Sequence, residues 1–206
     1  MLIDAVGVAV DGPHAPLLLP TSLTARTGAV TLAVGDHGDA HVALALVLGG
    51  QLEPDAGRVT FGGSADPALR RRHAALVDVP GVTAPDPGVS VHDVVGEELA
   101  LAHQPARRRH VRAVLEAQGL NGLAGARWES VPAEARTRVL TELAARRATV
   151  DLMVLAHPDR FGGRPDRWWR LAQDLAEQGL AVVVQCSHAS ARLLGAHDYA
   201  QLGVAA

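Results

Sequence analysis

The sequence predicts an α/β fold built around a mostly parallel sheet covered on both faces. Three observations carry this expectation. Runs such as Val150–Leu155 and Leu180–Cys186 are apolar almost without interruption, as strands buried on both sides must be. Segments of helical periodicity, several of them stopped by glycine, separate those runs. The length of 206 residues suits one domain with a substantial core.

From the N-terminus, Leu2–Val10, Leu17–Ala25 and Ala29–Val34 read as strands, with Thr27-Gly28 turning the chain between the last two. Val42–Gly50 follows as a helix ended by Gly49-Gly50. Arg58–Phe61 and Ala74–Val79 are further short strands. Pro80–Gly88, with three prolines and two glycines, is a loop. Ser90 is placed to cap a helix from Val91 to His103, with Asp93 three residues on. Arg107–Gln118 carries Val111, Val114 and Leu115 at helical spacing and ends at Gly119. Ala133–Arg147 repeats the pattern with Val139, Leu140 and Leu143. Val150–Leu155 is then a strand, Asp166–Gln178 a helix stopped by Gly179, and Leu180–Cys186 the last strand. Trp168 and Trp169 share that last helix, where neighbours diverge by about 100°. One of the two rings is therefore expected in the core, and the other is a candidate contact surface. No internal repeat or low-complexity linker interrupts the order.

Composition narrows the function. Apolar residues make up 48% of the chain and charged ones 20%, a globular balance that excludes a disordered chain. Net charge is −3, from 19 basic and 22 acidic residues, so no nucleic-acid partner is expected. The triplets Arg70-Arg71-Arg72 and Arg107-Arg108-Arg109 read as solvated helix surface rather than as contacts to nucleic acid or lipid headgroups. The one cysteine, Cys186, lies in an apolar run and reads as a buried strand thiol, in keeping with a reducing cytosol. Met1-Leu2-Ile3-Asp4 lacks the basic start and long apolar stretch of a signal peptide, and no apolar run is long enough to cross a bilayer. A cytoplasmic protein without direct membrane insertion is expected, reaching the inner face of a membrane only through a partner.

The most informative window is Gly35-Asp36-His37-Gly38-Asp39-Ala40-His41-Val42-Ala43, between the third strand and the first helix. Strand, glycine loop and helix are the parts of a phosphate-binding loop, where backbone N–H groups at a helix N-terminus cradle an anion. The pattern G-x-x-x-x-G-K-[ST] would put a second glycine, a lysine and a hydroxyl at Ala40, His41 and Val42. All three are missing. The chain has no lysine to lend from elsewhere, since its 19 basic residues are all arginine.

Four further segments follow in a telling order. Gly49-Gly50-Gln51-Leu52-Glu53-Pro54-Asp55-Ala56-Gly57-Arg58-Val59 closely resembles the "G-x-L-x-P-[DT]-x-G-x-[VI]" stretch of ABC-transporter ATP-binding subunits. Val89-Ser90-Val91-His92-Asp93-Val94 resembles "L-T-V-x-[ED]-[NV]", which opens that family's helical subdomain. Val150–Leu155 with Ala156-His157-Pro158 resembles the Walker B strand and its "D-E-P". Val182-Val183-Val184-Gln185-Cys186-Ser187-His188 resembles the strand ending in the switch histidine. The resemblance spans essentially the whole chain. It implies a P-loop NTPase-like, RecA-like core over residues 1–206, an N-terminal antiparallel β portion, and a helical subdomain at roughly 84–148 inserted between core strands. It also implies ATP and Mg²⁺ as cofactors, and a membrane permease or a second ATP-binding subunit as partner, in a homodimer or heterodimer.

Position after position departs from the family's chemistry. Asp11 stands about where the adenine-stacking aromatic would be. His41, Val42 and Ala43 replace the lysine and both hydroxyls, and Gly81 falls at the Q-loop glutamine. The signature "L-S-G-G-Q" aligns with Val131-Pro132-Ala133-Glu134-Ala135, which removes both glycines and puts Pro132 in place of the hydroxyl. Ala156 and His157 replace the Walker B aspartate and the catalytic glutamate, and Gly163 falls near the D-loop aspartate. Gly35, Gly38, Pro158 and His188 remain. Asp36 and Asp39 add charge beside the expected triphosphate, costing about 2–3 kcal/mol each at ~6 Å and an effective dielectric near 20, and much less if they point to solvent. Mg²⁺ is left with no evident protein ligand, and hydrolysis with no base. These losses argue against tight Mg-ATP binding and against turnover.

Three readings follow. In the first, the chain is a non-catalytic partner or regulatory subunit of an ABC-type membrane complex. In the second, it is an atypical ATPase holding ATP weakly through Gly35, Gly38, His41 and His188, with His188 the candidate catalytic residue. In the third, it binds an anion or a metal, since the resemblance would gather His41, His157 and His188 around the γ-phosphate position, where imidazoles suit Zn²⁺.

Overall fold

The computed structural model describes residues 2–202. Met1 and residues 203–206, part of the expected single-domain span 1–206, lie outside the described residues. The chain runs through β1 (Leu2–Val10), β2 (Leu18–Arg26), β3 (Ala29–Val34), α1 (Asp39–Leu48), β4 (Ala56–Phe61), α2 (Pro67–His73) and β5 (Ala74–Val77). It continues with α3 (Val91–Leu101), α4 (Arg108–Ala117) and α5 (Ala133–Ala144), all between β5 and β6 (Leu152–Ala156). The last elements are α6 (Pro165–Glu177), β7 (Ala181–Cys186), α7 (His188–Leu193) and a short β8 (Ala200–Gln201).

The strands form a five-stranded parallel sheet in the order β5-β6-β7-β3-β8 and a three-stranded antiparallel sheet in the order β2-β1-β4. This is the expected α/β class, with a mostly parallel core and an antiparallel N-terminal portion. Alternation along the parallel strands divides the interior. Val182, Val184 and Cys186 of β7 face a core shared with α3, α4, α5 and α6. Ala181 and Val183 face the opposite core, shared with α1 and the antiparallel sheet. All six β7 residues are buried, which is why the segment carries no polar alternation. Each fully buried valine there contributes about 1.5–3 kcal/mol over its exposed state.

Several boundaries move by one to three residues, each for a local reason. β2 runs Leu18–Arg26 rather than Leu17–Ala25, because its register pairs Arg26 with Leu2. α1 starts at Asp39, not Val42, because Gly38 already serves as its N-cap. Its stop is as expected: Gly50 takes φ +67°, and a Cβ there would meet the Pro67 carbonyl at 2.4 Å. β5 ends at Val77 because Asp78 turns to φ +60°. β6 extends to Ala156, which pairs with Gln185 of β7. Ser90 caps α3 as expected, accepting from the Asp93 N–H, while its hydroxyl donates to the Asp93 carboxylate at 2.8 Å.

The first arginine triplet is a correction. Arg70 is not solvated surface: it is 1% exposed, and its guanidinium donates to the Val59 and Ala65 carbonyls at 3.1 Å each and to Glu53 at 3.3 Å. It ties α2 to β4, while Arg71, its neighbour on the exposed side, donates to the Gly50 carbonyl. Arg107, Arg108 and Arg109 are exposed, as the charge pattern suggests. Trp168 is buried and Trp169 half-buried against the same core.

Candidate functional site

The carboxyl ends of β3, β6 and β7 meet at one edge of the parallel sheet, where α/β sheets place their ligands. Register fixes the meeting: Gly35 N–H donates to the Cys186 carbonyl at 3.2 Å, and His157 N–H to the Gln185 carbonyl at 3.1 Å. Gln185, wholly buried, donates from Nε2 to the His41 carbonyl at 2.8 Å and so pins the first turn of α1 to β7.

Gly35 and Gly38 differ in what holds them as glycine. A Cβ on Gly35 would sit 2.7 Å from Leu202 Cβ and 3.3 Å from the Leu202 carbonyl, so the loop needs glycine to pass the end of β8. Gly38 is extended, with φ 167°, and a Cβ there would meet nothing within 4 Å. The turn between strand and helix therefore accounts for Gly35 but not for Gly38. A shallow cleft of about 470 Å³ opens beside Gly38, Asp39 and Ala40 against the Pro13–Leu17 loop.

His41 lies beneath the loop, its Cε1 3.4 Å from where a Gly35 Cβ would stand. It is wholly buried, its ring nitrogens lie beside the Cys186 and Asp36 backbone without a well-formed hydrogen bond, and its ring packs against that of His157 with centroids 3.9 Å apart. Burial, followed by the charge of His37, lowers the His41 pKa to about 4. His157, at φ +49° just past the end of β6, is 3% exposed, and burial with the neighbouring His41 lowers it to about 3. Both imidazoles are neutral at pH 7. Val42 and Ala43 are directed by the helix into half-buried and buried positions.

Asp36 and Asp39 are exposed, so solvent screens much of the repulsion they would offer an anion. Asp39 nevertheless stands in the first turn of α1, which has no side-chain cap, and places the chain's own carboxylate at the positive end of the helix dipole. α5, the helix that follows the signature-like segment, repeats this: Pro132 is its N-cap with no side-chain hydrogen bond, and Glu134 lies in its first turn.

The carboxylate that enters this corner is Asp159, two residues beyond His157. Its Oδ2 accepts from Ser187 N–H at 3.0 Å, Ser187 Oγ at 2.7 Å and Ser190 Oγ at 2.6 Å. Burial raises its pKa, but the hydrogen bonds from Ser190 and Ser187 outweigh burial and hold it below the usual carboxylate range. Its Oδ1 lies 3.5 Å from His37 Nε2. His37, His157 and Asp159 thus gather, each with a ligand atom within 4.8 Å of the others. Of the expected set, His41 and His157 are in ring contact, while the ligand atoms that gather are those of His37, His157 and Asp159. His188 is the first residue of α7, half-buried, and lies outside that group. Asp159 escaped sequence reasoning because only the tertiary contact with Ser187 and Ser190 brings it inward; the spacing His157-Pro158-Asp159 was its one visible signal.

Deeper in the site, Arg160 donates to the Asp78 carboxylate and to its carbonyl at 2.6 Å each, joining the ends of β5 and β6. Burial raises the Asp78 pKa against the pull of Arg160. Phe161 lies between two guanidiniums, 4.4 Å from Arg160 and 4.5 Å from Arg136 of α5. At the expected Q-loop position Gly81 takes φ +71° in open space, and Asp11 is exposed with no aromatic face to offer a base.

No family model matches the chain. It is similar to the hemin import ATP-binding protein HmuV of Bordetella pertussis, 35% identical over 151 residues that cover 68% of this chain and 55% of that protein. The chain belongs to the ATP-binding-cassette family of nucleotide-binding domains. It spans about half the length of the curated relative it matches. Among solved structures, a nucleotide-free ATP-binding cassette from an ABC transporter superimposes with a TM-score of 0.66 at 18% identity, over 96% of this cassette and 85% of that chain. An ABC transporter ATP-binding protein from Pyrococcus furiosus gives 0.64 at 14% identity, over 90% of each chain. The ATP-binding subunit of another ABC transporter gives 0.61 at 15%, over 93% of this cassette and 82% of that chain. These likenesses show the fold. Among the described residues of this cassette, no helix is long and apolar enough to cross a membrane.

Proposed function

We propose that this cassette is a non-catalytic subunit of an ABC-type membrane complex, acting as partner or regulator of a competent ATP-binding subunit or docking on a permease. One observation carries the reading. The side chain at the phosphate-lysine position, His41, is buried, neutral and packed against His157, so the loop presents no cation to a triphosphate. Around it, Ala156 and His157 stand where the metal-binding aspartate and the base would be, and both are buried. The helix ends of α1 and α5 carry Asp39 and Glu134 where an anion would bind. ATP binding in the family's manner draws on a fixed cation, Mg²⁺ and its ligands as well as backbone N–H groups, and here the backbone groups alone remain.

The atypical-ATPase reading needs His41 at the phosphates and His188 at the attacking water. Inward packing of His41 supports it less than it supports the partner reading. Phosphate release from Mg-ATP, measured on the purified chain and on His188→Ala, tests the choice. The proposal expects no release above the uncatalysed rate in either protein. Steady turnover that His188→Ala abolishes would overturn it.

A further inference from the structure

The loop after β3 and the loop after β6 face each other across the corner that a γ-phosphate would occupy, and the side chains meeting there are metal-binding types. His37 Nε2 and Asp159 Oδ1 are 3.5 Å apart. That is close to the roughly 3.4 Å edge of a tetrahedron with metal–ligand bonds of about 2.0–2.1 Å. His157 completes the group, with all three ligand atoms within 4.8 Å of one another.

We propose that His37, His157 and Asp159 form a binding site for a late first-row divalent cation of the Zn²⁺ class. Three features of the site are those such an ion requires. First, the carboxylate is oriented from behind: Oδ2 takes three hydrogen bonds from Ser187 and Ser190, while Oδ1 has no hydrogen-bond partner and is buried. Second, His157 is 3% exposed and its Nδ1 is buried without a partner, a cost of about 1–3 kcal/mol that a ligand or water at the site would relieve. Third, His37 is 49% exposed on its side chain, so the site has an entry path and one ligand free to adjust.

The donor set decides the class of ion. Two imidazoles and one carboxylate suit Zn²⁺, Co²⁺ or Ni²⁺, whereas Mg²⁺ prefers oxygen ligands in octahedral array. Three protein ligands leave a fourth position for water or for a residue of a partner. The ion would clamp the phosphate-loop remnant to the end of β6, beside the His41–His157 contact. The site uses side chains alone and none of the backbone N–H groups at the α1 N-terminus.

Calorimetric titration of Zn²⁺ into the untagged, chelator-treated 206-residue chain tests the proposal, with Co²⁺ absorption as a second readout. His37→Ala is the principal variant because the side chain is largely exposed and its loss leaves the fold intact, as the unchanged melting temperature of the metal-free protein will verify. Asp159→Asn is the second, and His197→Ala, on an exposed segment, is the control. The expected result is saturation at one equivalent, a loss of affinity of at least ~10-fold in both site variants, and none in the control. Visible Co²⁺ bands of low-coordinate type should appear in the native chain and vanish in His37→Ala. Absence of saturable uptake overturns the proposal. So does unchanged affinity in His37→Ala, or displacement of Zn²⁺ by equimolar Mg²⁺.

Discussion

His41 lies with its ring against that of His157, centroids 3.9 Å apart and planes inclined at 56°. The contact joins the two residues that the family resemblance sets at the phosphate-lysine and catalytic-glutamate positions. Two groups that would carry opposite charge around Mg-ATP are here two neutral imidazoles in a buried corner.

Burial of these rings makes stability depend on pH in a defined window. Their pKa values are about 4 and about 3 in the folded chain, below the ordinary 6.5. Between those values and 6.5 the unfolded chain binds more protons, so stability is full above about 6.5 and falls as pH drops toward 4. The two rings interact, so their effects do not simply add. Urea unfolding of chelator-treated protein should show a loss of ~2–4 kcal/mol from these two rings between about pH 7.5 and pH 5, offset in part by Asp78, whose raised pKa acts in the opposite sense. His41→Phe, which keeps a ring in place, should flatten the slope. A pH-independent midpoint in the native chain would contradict the assignment.

The core was legible because physics writes it plainly. β6 and β7 are buried on both faces, so their sequences are apolar except for Gln185, and glycines at positive φ mark the ends of α4 and α6. α2 was not legible. PALRRRH offers no apolar stripe, and its helix follows from Pro67 at the first turn, the Asp66 cap on Ala68 N–H, and the burial of Arg70. α7 and β8 were missed for a similar reason: each is short and takes its place from contacts across the chain, such as Leu202 N–H donating to the Val34 carbonyl. In the site, the approach of His41 to His157 followed from the family resemblance. The inward turn of Asp159 did not, because Ser187 and Ser190 lie 28 and 31 residues away.

The two loop glycines should respond differently to alanine. Gly35→Ala forces a Cβ to 2.7 Å from Leu202 Cβ, with backbone at 3.3 Å, and should cost about 1–3 kcal/mol of stability. Gly38→Ala meets open space in extended backbone and should fall within ~0.5 kcal/mol of the native chain. Denaturant midpoints compare them directly. Equal losses would mean that Gly38 answers to a constraint the fold does not show.

Asp78 and Arg160 form the buried tie between the ends of β5 and β6. Arg160→Met leaves a buried carboxylate without its partner and should cost about 3–5 kcal/mol. Asp78→Asn added to Arg160→Met should recover part of that loss, since the charge to be buried is gone. A double-mutant cycle in urea measures both steps, and strict additivity would show that the pair is not coupled.

The central claim is that this cassette has kept its fold and given up its nucleotide chemistry. Calorimetric titration of Mg-ATP into the purified chain measures it most directly. With a buried, neutral His41, no carboxylate at Ala156 and acids at both helix ends, the titration should yield no saturable heat up to millimolar nucleotide. Stoichiometric saturation in the micromolar range, dependent on Mg²⁺, would contradict it.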